Sequence, residues 1–189
     1  MELTLSQSWL PEPEEGFQPG TASITWKNGT LSVSIDLTDD EVMTTASAHQ
    51  QKLWEHGDVA ELFVQRVGEI GYDEYQISPN GFSLGLHYPD ILGVAAVRSG
   101  KRKIDEFLSK TSFIATAVKT DSGWRADFTI TLPCSPTDRI LISCCRYDAA
   151  KGRSAIISST SPHPVRDFHR PQEWHTINPE PDQSFGRPS

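Results

Sequence analysis

The chain reads as an all-β protein, an antiparallel β-sandwich of immunoglobulin-like or jelly-roll-like type. Three observations predict this class. Apolar and polar residues alternate over several short runs, turn dipeptides separate those runs, and helix signals are sparse. At 189 residues the chain can bury one sizeable core and has little room for a second. The expected organisation is a single domain over residues 1–178, followed by a proline-rich tail over 179–189 without fixed structure.

The elements follow in order. In SITWKNGTLSVSIDL (23–37) two period-2 runs flank Asn28-Gly29, the dipeptide that favours a type I′ hairpin turn. Leu31, Val33, Ile35 and Leu37 alternate with Ser32, Ser34 and Asp36, so one face of the second arm is dry. Residues 39–54, DDEVMTTASAHQQKLW, are expected to form one short helix or an irregular crossover. As a helix, Asp39 or Asp40 would cap it and Val42, Ala46 and Leu53 would face inward. DVAELFVQRV (58–67) and YDEYQISPNGFSLGLHY (72–88) form a hairpin joined through Gly68 to Gly71. In FIATAVKTDSGWRADFTITL (113–132) Trp124, Ala126, Phe128, Ile130 and Leu132 share one face across the Asp121-Ser122-Gly123 turn. RILISCCRY (139–147) is a continuous apolar run, the mark of a strand covered on both sides. From 158 onward six prolines exclude central strands, because proline removes a ladder donor. This segment is a long C-terminal loop whose Phe168, His169 and Trp174 exceed what a linker needs.

Charge narrows the function classes. Seventeen basic against 25 acidic residues give a net charge of −8, which argues against a nucleic-acid partner. SGKRKID (99–105) is the one basic cluster and reads as a solvated loop tip. No run of 18 apolar residues occurs, so no membrane span is expected. The N-terminus has neither a basic nor an apolar signal region, so the expected location is cytoplasmic as written, or extracellular if an export segment is missing. Cys134, Cys144 and Cys145 fit reduced structural thiols, and adjacent strand positions such as 144 and 145 point to opposite faces. No dinucleotide fingerprint, P-loop or nucleophile elbow is present.

LWEHGDVAELFVQ (53–65) raises a specific question. Glu61 stands in an apolar strand, and a buried carboxylate needs either a partner or a function. One reading pairs it across strands with Arg66, Arg125 or Arg146. Another sets it in a groove beside Trp54, accepting hydrogen bonds from a ligand. His163, His169 and His175 are six residues apart and interrupted by Pro164 and Pro171, a poor pattern for a metal, so no metal ligands are assigned.

Five stretches in order, ITWKNGTLSVSIDLTDDEV, LWEHGDVAELFVQ, YDEYQISPNG, GWRADFTITLP and FHRPQEWHTI, resemble the family 9 carbohydrate-binding module and its DOMON-like β-sandwich relatives over residues 21–178. The resemblance implies a non-catalytic module that holds a sugar or glycan chain end between two aromatic rings, here Trp54 and Phe168. Glu61 and Gln76 would take hydroxyls, with Arg166, His169 and Asn80 completing the ligand-binding set. No cofactor is implied beyond a possible structural calcium, for which the resemblance assigns no ligands. The partner would be a carbohydrate. Trp54 stands one residue farther from Glu61 than in the family, Gln76 replaces a basic residue, Phe168 replaces a tryptophan and Val165 an asparagine. These departures favour an alternative, a cytoplasmic DOMON-like ligand-binding or protein-interaction module that has lost sugar binding. A glycan-active hydrolase using Glu61 would need a second acid across a cleft, at about 5–5.5 or 6.5–9.5 Å.

Overall fold

Two antiparallel sheets pack face to face in the computed structural model, which describes residues 1–180. Most of the expected tail, from 181 on, lies outside the described residues. At its start the Glu180 amide donates to the Trp26 carbonyl at 2.7 Å. The first sheet has the order β1-β2-β3-β8-β7: Glu2–Leu5, Gly20–Lys27, Thr30–Thr38, Gly123–Thr131 and Phe113–Thr120. The second runs β10-β9-β4-β5-β6: Ile156–Ser159, Ile140–Asp148, Val59–Arg66, Tyr72–Ile77 and Ser83–Tyr88. A short β11, His175–Ile177, pairs with the first residues of β9.

The period-2 patterns place the core where alternation requires. Ile24, Trp26, Leu31, Val33, Ile35, Trp124, Phe128 and Ile130 from the first sheet meet Ala60, Leu62, Val64, Tyr75, Ile142 and Cys144 from the second. Each such large side chain contributes about 1.5–3 kcal/mol by leaving water. The Trp26 indole N–H, which would be costly to strand, donates to the Leu132 carbonyl at 3.0 Å. Asn28 and Gly29 both have positive φ, 50° and 71°, as a type I′ turn demands. Strand β9 is buried along both faces, with Cys144 in the inter-sheet core and Cys145 on the opposite side.

Residues 39–54 take the crossover form and contain no α-helix; a single 3₁₀ turn spans Leu53–Glu55. Their backbone groups are satisfied by tertiary partners instead of by each other. The Met43 amide donates to the Asp58 carboxylate, Asn80 Nδ2 donates to the Ala46 carbonyl at 2.8 Å, and Thr44 bridges Gly57. Ala46 and Leu53 are nevertheless buried, as expected. The one α-helix among the described residues, α1, is Ile91–Arg98. The Asp90 side chain caps it by accepting from the Gly93 amide at 3.0 Å.

Gly57 is required by a close approach. Its φ is +135°, and a Cβ there would sit 2.2 Å from the Met43 carbonyl oxygen. Gly57→Ala is therefore expected to cost about 1–3 kcal/mol through backbone strain, read as a lower urea midpoint. An unchanged midpoint would show that the crossover can shift away without penalty.

Candidate functional site

The outer face of the second sheet is not left to solvent. Val59, Phe63, Tyr72, Leu84, Leu86, Tyr88 and Cys145 point outward and are covered by α1 and the C-terminal segment carrying Phe168 and Trp174. Strand β4 is thus buried on both sides, which explains how Glu61 comes to be only 3 % exposed. Across this face Glu61 stands opposite Gln76 on one side and Cys145 on the other, and Phe63 opposite Glu74. Gln76 and Glu74 are two apart on β5 and share the face.

These three polar residues form one unit. Gln76 Nε2 donates to Glu61 Oε1 at 2.8 Å and also to Glu74 Oε1. Glu74 Oε2 and Gln76 Oε1 are buried without a hydrogen-bond partner. Burial, with the neighbouring Glu74 charge adding to it, raises the Glu61 carboxyl well above its usual range. Burial likewise pushes Glu74 up to about 7, against the opposing pull of the Gln76 hydrogen bond and the Arg98 charge. None of the three arginines considered for Glu61 reaches it. Arg66 pairs with Asp138, Arg125 with Asp127 and Arg146 with Asp39 and Asp148.

The trio opens into a cavity of about 170 Å³. An apolar cavity of roughly 150 Å³ holds benzene, so the space admits one six-membered ring. Trp54, Glu61, Gln76, Arg166, Phe168 and His169 all line it. Asn80 does not; it holds the crossover at Ala46 and accepts from the Ser78 hydroxyl at 2.7 Å. Trp54 is half-buried, whereas Phe168 is 4 % exposed. The ring neighbours of Phe168 are Trp9, Phe63, Tyr147 and His163. Among the described residues no ring stacking joins it to Trp54, so Phe168 is an embedded wall and not a free-standing platform. His169 Nδ1 shares a 2.7 Å hydrogen bond with the Tyr72 hydroxyl, and burial drives its imidazole down to about 3, so it is neutral at neutral pH. Arg166 is exposed at the rim and donates to the Ala155 carbonyl at 2.9 Å.

Further residues also line it: Glu74, Tyr88, Tyr147 and the Arg98–Asp167 pair, joined at 2.9 Å. Tyr88 could have been found by carrying the period-2 alternation along β6, and the same alternation along β5 puts Glu74 on the face of Gln76. Arg98 could not, since it rides on a helix that the sequence does not announce. The three spaced histidines have separate partners. His163 bonds Glu173 and His175 bonds the Thr160 carbonyl, each at 2.8 Å, while His169 holds Tyr72.

A second carboxylate group bears on calcium. Asp39, Asp58 and Asp148 bring oxygens within 4.8 Å of one another and are buried. The Arg146 guanidinium lies among them, 3.0 Å from Asp39 and 3.3 Å from Asp148, while Asp58 accepts the amides of Met43 and Ala149. Calcium takes six to eight oxygens. Here a side-chain cation already holds the charge and the Asp58 oxygens are committed, so these residues do not fit the ion.

Comparison with known proteins places the fold. No protein-family model matches the chain, and no curated protein matches it. Among solved structures, a Bacteroides uniformis ATCC 8492 protein proposed to bind carbohydrate superposes with a TM-score of 0.68 at 14 % identity, covering 95 % of this chain and 86 % of that one. A family 9 carbohydrate-binding module from Caldicellulosiruptor kristjanssonii in complex with cellotriose gives 0.64 at 14 % identity, covering 95 % and 83 %. A module of the same family and organism in complex with glucose gives 0.64 at 12 %, covering 94 % and 84 %. The chain has the fold of a family 9 carbohydrate-binding module. No helix among the described residues is long and apolar enough to cross a membrane.

Proposed function

We propose that the domain is a non-catalytic carbohydrate-binding module that holds one sugar ring, free or at the end of a glycan, in the cavity on the outer face of its second sheet. Trp54 offers a partly open aromatic face to the C–H side of the ring, and Phe168 forms the wall behind it. Glu61 and Gln76 take hydroxyls, with Arg166 and His169 at the rim. The observation that carries the reading is convergence: residues from the 53–55 turn, β4, β5 and the C-terminal loop line one space of ring size. Glucose and cellotriose in the similar Caldicellulosiruptor modules are consistent with it. Glu61 and Glu74 are bridged by a single amide nitrogen and so stand side by side. Hydrolysis needs two acids flanking the scissile bond, and this arrangement favours binding over turnover.

The affinity expected of one short site is about −4 to −8 kcal/mol, in the mM to µM range. Hydrogen bonds to a charged group contribute about 1.5–3 kcal/mol. Trp54→Ala and Glu61→Ala are accordingly expected to weaken monosaccharide binding by about tenfold or more in calorimetry. Unchanged binding in variants that melt like the parent would remove the cavity as the site.

A further inference from the structure

We infer that the sugar favoured by this cavity carries a protonated amine on its ring. The inference rests on the carbohydrate reading above and narrows its ligand class. Gln76 decides it. Both hydrogens of its amide nitrogen are spent, one on Glu61 and one on Glu74. This orientation suits two ionised carboxylates, which have nothing to donate to an amide oxygen.

With both carboxyls ionised, the state a bound cation favours, what remains to meet a ligand is all acceptor. Among the described residues, Gln76 Oε1 and Glu74 Oε2 are buried without partners, and Glu61 accepts only the Gln76 hydrogen bond. Glu74 lies wholly inside the protein, 3 % exposed, and lines the cavity. The cations nearby are engaged elsewhere. Arg98 is held by Asp167, and Arg166 donates to the Ala155 carbonyl. His169 Nε2 stands 3.9 Å from Glu74 Oε2, beyond hydrogen-bond length, and its other ring nitrogen is bonded to Tyr72.

A hydroxyl brings one donor and two lone pairs, and lone pairs turned toward this cluster are repelled. An ammonium group brings three donors and no acceptor. Its charge would hold both carboxyls ionised against the burial that raises them, and would form the stronger, charge-assisted class of hydrogen bond. The aromatic walls Trp54, Tyr88 and Tyr147 suit an organic cation, whose charge their ring faces attract. A hydrated metal ion would gain less from those walls.

The test is calorimetry on the full chain at about pH 7, where a primary amine of pKa ~8 is largely protonated. Glucosamine is expected to bind at least tenfold more tightly than glucose or N-acetylglucosamine, and more tightly than cyclohexylamine, which has the charge without the hydroxyls. Glu74→Gln, which replaces an acceptor by a donor, should bring the glucosamine-to-glucose ratio toward one, and Glu61→Gln serves as the second variant. Equal binding of glucose and glucosamine would overturn the inference and leave the carbohydrate reading standing. Cyclohexylamine matching glucosamine would overturn the assignment to a sugar. Binding of none of the four by a folded chain would overturn both readings.

Discussion

Arg146→Ala is expected to lower the unfolding free energy by about 3–5 kcal/mol, the usual cost of removing one partner from a buried ion cluster. Arg146 projects from β9 into one end of the sandwich and is 1 % exposed. Its Nη2 contacts Asp39 and Asp148, and its Nη1 donates to the Thr38 carbonyl at 2.7 Å and more weakly to Gln18 at 3.4 Å. Removing it takes the cation from buried Asp39 and the donor from two carbonyls. Asp148 keeps Arg153, but Asp39 has no second cation among the described residues. Urea denaturation at neutral pH measures the loss. A change under about 1 kcal/mol would place the cluster among solvated surface ion pairs. Because the guanidinium supplies the cation, a metal chelator is expected to leave the wild-type melting temperature unchanged. A drop on chelation would mean that a metal is held there after all.

This arginine also shows where reading the sequence stops. Alternation made most strands legible: Leu31 to Leu37 and Trp124 to Ile130 face the core because side chains repeat every two residues. The same rule, taken one step further, separates Arg146 from Glu61. In the observed register Glu61 stands opposite Cys145, so Arg146 belongs to the other face. Pairing partners across β4, β5 and β9 are set by the register between strands, which no single strand encodes. The 39–54 crossover was harder still. Its conformation is stabilised by Asp58, Asn80 and Gly57, all outside the segment, so local signals alone left helix and crossover both open. Helix α1 was hidden for the opposite reason. ILGVAAVR is apolar all round and carries Gly93, whose missing Cβ lets Phe107 and Tyr88 approach to 3.0 and 3.2 Å of where it would be. Tertiary packing, and not propensity, makes it a helix. At the site, Glu61 was readable as a carboxylate in an apolar strand beside an aromatic turn residue, Trp54, whereas Gln76 came from the family resemblance. The embedding of Phe168 depends on Trp9 and His163, 159 and 5 residues away in the chain, and was not.

The Glu74 carboxyl makes the second large prediction, a stability difference that grows with pH. Its ordinary value is 4.5 and burial lifts it to about 7 in the folded protein. Between those values the native state holds a proton that the unfolded state has released, so stability falls as pH rises. The contribution is complete below about pH 4.5 and is lost as pH rises through 7, a swing of about 3 kcal/mol at 1.36 kcal/mol per pH unit. Glutamine is the neutral isostere of the protonated form and lacks this swing. Glu74→Gln is therefore expected to gain about 3 kcal/mol over the parent between about pH 4 and pH 8. Glu61, raised in part by the Glu74 charge, moves in the same direction once that charge is gone. The parent's own pH curve would not reveal the effect. His169, depressed to about 3, contributes with the opposite sign, because its stability is lost as pH falls below the usual 6.5. Subtracting parent from variant cancels His169 to first order and leaves Glu74. Urea denaturation of both proteins across that range gives the difference directly. A difference constant to within about 0.5 kcal/mol would mean that Glu74 titrates normally, and a normally titrating carboxylate would have to be reached by water or a cation.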